Sequence, residues 1–122
     1  MSYAGFKSML YAGLKADDQR VKAVTTWLKK NYDLKSNPGQ GDAGLFYYYN
    51  LMAKALHASG NDTFTDEAGK GHEWRKELTA ELVGRQQADG SWVNSNKQFM
   101  ENDPNLATAF ALLVLAECEA KK

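Results

Sequence analysis

The chain has 122 residues, 15 lysines and arginines against 15 aspartates and glutamates, and one cysteine, Cys118. That length supports one domain with a real core, the even charge excludes the clustered positive field behind nucleic-acid binding, and a lone cysteine excludes an intrachain disulfide. Met-Ser-Tyr-Ala-Gly-Phe-Lys has no basic segment followed by an apolar one and no window reaches the roughly 18 apolar residues of a membrane span, so a soluble, cytoplasmic protein is expected.

From Ser2 to Lys15, Tyr3, Phe6, Leu10 and Leu14 fall near helical spacing. Ala4, Gly5, Ala12 and Gly13 lie between them, and small residues admit a close neighbour, so this helix is expected to be buried on more than one side. A second helix opens at Asp17, a good capping residue, with Asp18 in the first turn where a carboxylate meets the positive end of the helix dipole. Val21, Val24, Trp27 and Leu28 form its apolar stripe, while Lys22, Lys29 and Lys30 face away. Asn37-Pro38-Gly39-Gln40-Gly41 is a loop by composition.

A third helix is expected from Asp42 to a glycine terminator at Gly60. Its apolar residues cover almost the whole circumference, so other helices must enclose it. The polar stretch from Asn61 to Gly71 leads to a fourth helix with Trp74, Leu78 and Leu82 in one stripe, and Trp27 and Trp74 are expected to anchor the two outer helices to the core. Asp103 followed by Pro104 is a paired start signal for the fifth. Leu106, Phe110 and the run from Leu112 to Leu115 make that helix another enclosed one, and Lys121 and Lys122 form a solvated end. The expectation is an all-α single domain over residues 1–122, in which enclosed and amphipathic helices alternate and no strand occurs.

Helix four runs into Gln86 and Gln87 and stops at Asp89-Gly90. Trp92 follows at once, so its indole can lie back over the helix end. Leu82, Gln86, Gly90 and Trp92 resemble the Gln-Trp motif of the prenyltransferase and squalene oxidase repeat proteins, a group that includes terpene cyclases and protein prenyltransferase β subunits. Tyr3-Ala4-Gly5-Phe6, Leu45-Phe46-Tyr47-Tyr48-Tyr49 and Asp103-Pro104-Asn105-Leu106-Ala107 extend the resemblance along the chain. It implies an α/α-toroid-like array of helical hairpins, inner helices apolar and outer ones amphipathic. Gln86 would then hydrogen-bond at a helix end, with the Trp92 ring stacked on its amide.

The chain also departs from that family. The cyclases' acidic Asp-x-Asp-Asp motif is absent, and Asp17-Asp18 lies at the start of an outer helix. Cys118, His57 and His72 lack the spacing of the prenyltransferase zinc set, and a catalytic zinc ordinarily takes three protein ligands with a vacant fourth position. Neither metal nor cofactor is expected. Five helices fall short of the family ring, which implies a homo-oligomer or a part of a larger toroid.

Tyr11, Phe46, Tyr47, Tyr48, Tyr49 and Asn50 are the candidates to line a pocket for an apolar small molecule, since aromatic faces attract cations. Packing is the plainer role for the same rings, and consecutive tyrosines diverge by about 100° on a helix, so at most two of three share a cavity. Glu101 and Asp103 stand where toroid enzymes present acids, against the ordinary role of Asp-Pro as a helix start. His57 is a core or rim histidine or a catalyst. The reading is a structural or binding unit rather than an enzyme complete in itself, with an isoprenoid-processing enzyme and a carbohydrate- or peptide-binding cleft as the alternatives.

Overall fold

The computed structural model describes residues 2–15 and 17–120; Lys121 and Lys122 lie outside them. Among the described residues five helices carry the fold: α1 (Ser2–Tyr11), α2 (Gln19–Lys30), α3 (Leu45–Ser59), α4 (Trp74–Arg85) and α5 (Pro104–Glu119). The expectation of no strand is corrected by a small hairpin, β1 (Phe64–Thr65) and β2 (Gly71–His72), paired antiparallel with Phe64 opposite His72. A tight turn makes it. Asp66 Oδ1 accepts the backbone N–H groups of Ala68 and Lys70 at 2.9 and 3.0 Å, and Gly69 supplies a φ of +85°. Two-residue strands carry no alternating pattern, so the sequence here shows only a polar loop.

The helix starts follow their capping chemistry. Asp18, one residue past the expected Asp17, caps α2 by accepting from Arg20 N–H at 2.9 Å, and Asp103 caps α5 by accepting from Asn105 N–H at 3.0 Å. The third helix begins at Leu45 rather than Asp42, behind a left-handed Gly44 with no side-chain cap of its own. A Cβ at Gly44 would come within 3.1 Å of the Phe99 ring.

Packing places α3 at the centre, with α1 and α5 against it, α2 against α1 and α4 against α5. The loop after α2 covers part of what remains, since Tyr48 donates its hydroxyl to Asp33 O at 2.6 Å and Tyr49 to Leu34 O. That loop is tied to α4 through Tyr32 Oη to Glu77 at 3.0 Å and Lys35 Nζ to Glu81 at 2.7 Å. The expected enclosure of the third helix holds over most of its circumference, with Leu45, Phe46, Tyr49, Met52, Ala53, Ala55 and Leu56 buried, and fails at Tyr47, which is 40% exposed.

The expected enclosure of α5 does not hold. Ala107, Ala111, Val114 and Cys118 are buried, but Ala109, Leu112, Leu113 and Ala116 are exposed, with Leu112 at 56% and Leu113 at 47%. Its main packing neighbours, α3 and α4, lie along one face, and apolar composition by itself does not supply a partner for the other. The first helix is also less enclosed than expected, with Tyr3 and Phe6 buried but Tyr11 exposed. Gly5 is not forced by close approach, because an added Cβ there meets nothing within 4 Å. Of the two expected anchors, Trp74 is fully buried with its indole donating to Asn61 O at 2.8 Å, whereas Trp27 is 40% exposed.

Candidate functional site

The N-terminal end of α3 is closed by a residue 55 positions away. Glu101 is fully buried, its Oε1 accepting from Phe46 N–H at 3.0 Å and its Oε2 from Tyr47 N–H at 2.9 Å. Asn94 Nδ2 donates to Glu101 Oε1 at 3.1 Å and to Asp42 O at 2.6 Å. A carboxylate on otherwise orphan N–H groups, at the positive end of the helix, is a cap supplied from a distant part of the same chain. Glu101, an acid candidate in the sequence, thus has both oxygens engaged out of reach of solvent. Asp103 is exposed and serves as the α5 cap.

The aromatic candidates do not converge on a cavity. Phe46, Tyr48 and Tyr49 are core residues, Tyr47 is 40% exposed with its ring 5.7 Å from Phe110, and Asn50 is buried. None of these five lines any of the five main cavities. The Asn50 Oδ1 and Tyr3 Oη atoms are buried without a hydrogen-bond partner among the described residues. Burial pushes the hydroxyl pKa of Tyr3, Tyr32, Tyr48 and Tyr49 upward.

The C-terminal end of α3 is different in kind. His57, in its last turn, and Tyr11 are the two sequence candidates that share a cavity, of about 360 Å³, lined by Lys7, Leu10, Tyr11, Lys54, His57, Ala58 and Glu117. Arg75 stands behind the histidine. Its guanidinium lies over the Trp74 ring, 4.3 Å from the centroid, and donates through Nε to Asp62 at 3.0 Å, through Nη1 to Glu117 O, and through Nη2 to His57 Nδ1 at 2.9 Å. A guanidinium has donors only, so this network assigns His57 Nδ1 as the acceptor and places the ring proton on Nε2. That orientation makes Nε2 a donor and removes it as a base. On its other side Arg75 helps to line a second cavity of about 580 Å³ with Asp62, Glu73, Lys76, Thr79, Ala80 and Cys118. Burial raises the Cys118 thiol pKa, which disfavours the nucleophilic thiolate.

A second histidine forms a cluster that no sequence motif marks. The His72 ring is stacked under Tyr32 with centroids 3.9 Å apart. Its Nε2 lies 2.7 Å from Asp66 Oδ2 and its Nδ1 2.9 Å from Glu77 Oε1, and the bond from His72 holds the Asp66 carboxyl below its usual range. With both nitrogens engaged and the residue buried, this cluster clamps the hairpin to α4. The signal was long-range, since Tyr32 comes from the loop that follows α2.

Trp92 closes the corner between α4 and α5. The buried indole donates to Leu82 O at 2.8 Å, a carbonyl in the final turn of α4, and the Trp92 backbone N–H donates to Thr108 Oγ1 on α5 at 3.0 Å. Gln86 Nε2 donates to Gly90 O at 2.9 Å across the turn, where Gly90 has a φ of +89°. The indole therefore carries the bond to the helix, while Gln86 fastens the turn. No family model, curated protein or solved structure matches this chain.

Proposed function

We propose that the chain is a structural and binding unit of an α/α-toroid-like helical array, completed by packing of the outer face of α5 against another helical layer. The observation that carries this reading is the stripe of Ala109, Leu112, Leu113 and Ala116, spaced i, i+3, i+4 and i+7 and exposed along its length. Exposed apolar surface of that kind marks interaction sites. A two-fold contact of one α5 with its copy would cover the stripe on both chains at once. The residues that resemble the prenyltransferase and squalene oxidase repeats, and the Trp92 corner between consecutive helices, support the wider toroid reading. Molar mass by light scattering across a concentration series tests it: self-association is expected, and a monomer at every concentration contradicts it.

A further inference from the structure

The cleft at the C-terminal end of α3 has a composition that the packing of the fold does not explain. Lys7 from α1 and Lys54 from α3 both line it and are only partly exposed. Neither ammonium forms an ion pair among the described residues; Lys7 Nζ lies 5.3 Å from the centroid of the Tyr11 ring. The third polar group is His57, whose orientation is set by Arg75 so that Nε2–H is the remaining donor. Glu117 contributes the one carboxylate of the lining, and its side chain is likewise in no ion pair among the described residues.

We propose that this cleft binds a small organic monocarboxylate, with Lys7, Lys54 and His57 Nε2–H as donors to the carboxylate oxygens. The charge of the lining selects the class. Two lysines against Glu117, with His57 uncharged in its contact with Arg75, leave one positive charge, which one carboxylate neutralises. A dianionic phosphate would leave an excess negative charge beside Glu117. Leu10, Ala58 and the Tyr11 ring supply apolar surface for the ligand's organic body, as small-molecule sites do around a few placed polar groups. A cavity of about 360 Å³ suits a ligand with a single ring. Arg75 acts as a positioning residue: it occupies His57 Nδ1 and leaves Nε2–H as the donor of the ring.

Titration of the protein with sodium benzoate, followed by nuclear magnetic resonance of the His57 ring and the Lys54 backbone amide, tests the proposal. Benzamide and inorganic phosphate are the matched probes without the charge and without the carboxylate. Saturable benzoate binding with a Kd on the order of 1 mM is expected, weakened at least about tenfold in Lys54→Ala and in Lys7→Ala, with benzamide and phosphate at least about tenfold weaker than benzoate. Both lysines sit at the surface, so thermal melts of the two variants matching the parent would show that the fold is intact. Absence of a saturable shift with benzoate overturns the proposal, as does equal binding of benzamide or phosphate, or undiminished benzoate binding by both folded lysine variants.

Discussion

Helices α3 and α5 are the two most apolar segments of the chain, and they end in opposite situations. The α3 helix has neighbours around it, and even its polar ends are answered: Glu101 takes the N–H groups of Phe46 and Tyr47, and the Tyr48 and Tyr49 hydroxyls reach the carbonyls of Asp33 and Leu34. The α5 helix buries Ala107, Ala111 and Val114 but leaves Leu112 and Leu113 in solvent. Apolar character around a whole helix states a demand for partners without saying whether the same chain provides them. In α3 the chain does, and in α5 it supplies one side.

Four perturbations break or sharpen that contrast. Glu101→Ala removes the acceptor of two buried N–H groups at the head of α3 and leaves a cavity, so a loss of about 3–5 kcal/mol in urea denaturation is expected. A loss below about 1 kcal/mol would mean that α3 is capped by something other than this carboxyl. Alkaline titration reaches the same helix from its hydroxyls. With the folded pKa values of Tyr3, Tyr32, Tyr48 and Tyr49 raised, the unfolded chain releases those protons first. Stability is then complete below about pH 10 and falls as pH rises beyond it. The tyrosinate absorbance of these four and the loss of helical circular dichroism should therefore rise together; ionisation of all six tyrosines with the helices intact would contradict the enclosure.

Trp92→Phe keeps most of the ring and removes the donor to Leu82 O, and should cost about 1–2 kcal/mol by thermal or urea unfolding. Trp92→Ala loses the burial as well and should cost about 3–5 kcal/mol. Equal losses in the two variants would show that the hydrogen bond rather than the buried ring holds the α4–α5 corner. The smallest effect on stability is expected on the open face of α5, where replacing Leu112 and Leu113 by lysine should change the monomer's stability by less than about 0.5 kcal/mol per site.

What the sequence made legible follows the same division. Local chemistry came through: Asp103-Pro104 starts α5, glycine ends α3 at Gly60, and the burial of Trp74, Leu78 and Leu82 follows from one stripe. Long-range answers did not. Nothing in the residues around Leu45 says that its helix is capped from position 101, and nothing around His72 says that Tyr32 will stack on it. The hairpin at Phe64 escaped because its strands are too short for a period and its turn depends on the Asp66 side chain. For His57, adjacency to Leu56 and Ala58 suggested a core or rim position, but the guanidinium that fixes its role arrives from the next helix.

The unpartnered face of α5 is tested most directly by comparing molar mass in solution, by size exclusion with light scattering over a range of concentrations, between the parent chain and the Leu112→Lys, Leu113→Lys double variant. The parent should rise in mass with concentration while the folded double variant stays monomeric throughout. A parent chain that is monomeric at every concentration, or a double variant that associates as the parent does, would contradict a contact made through this stripe.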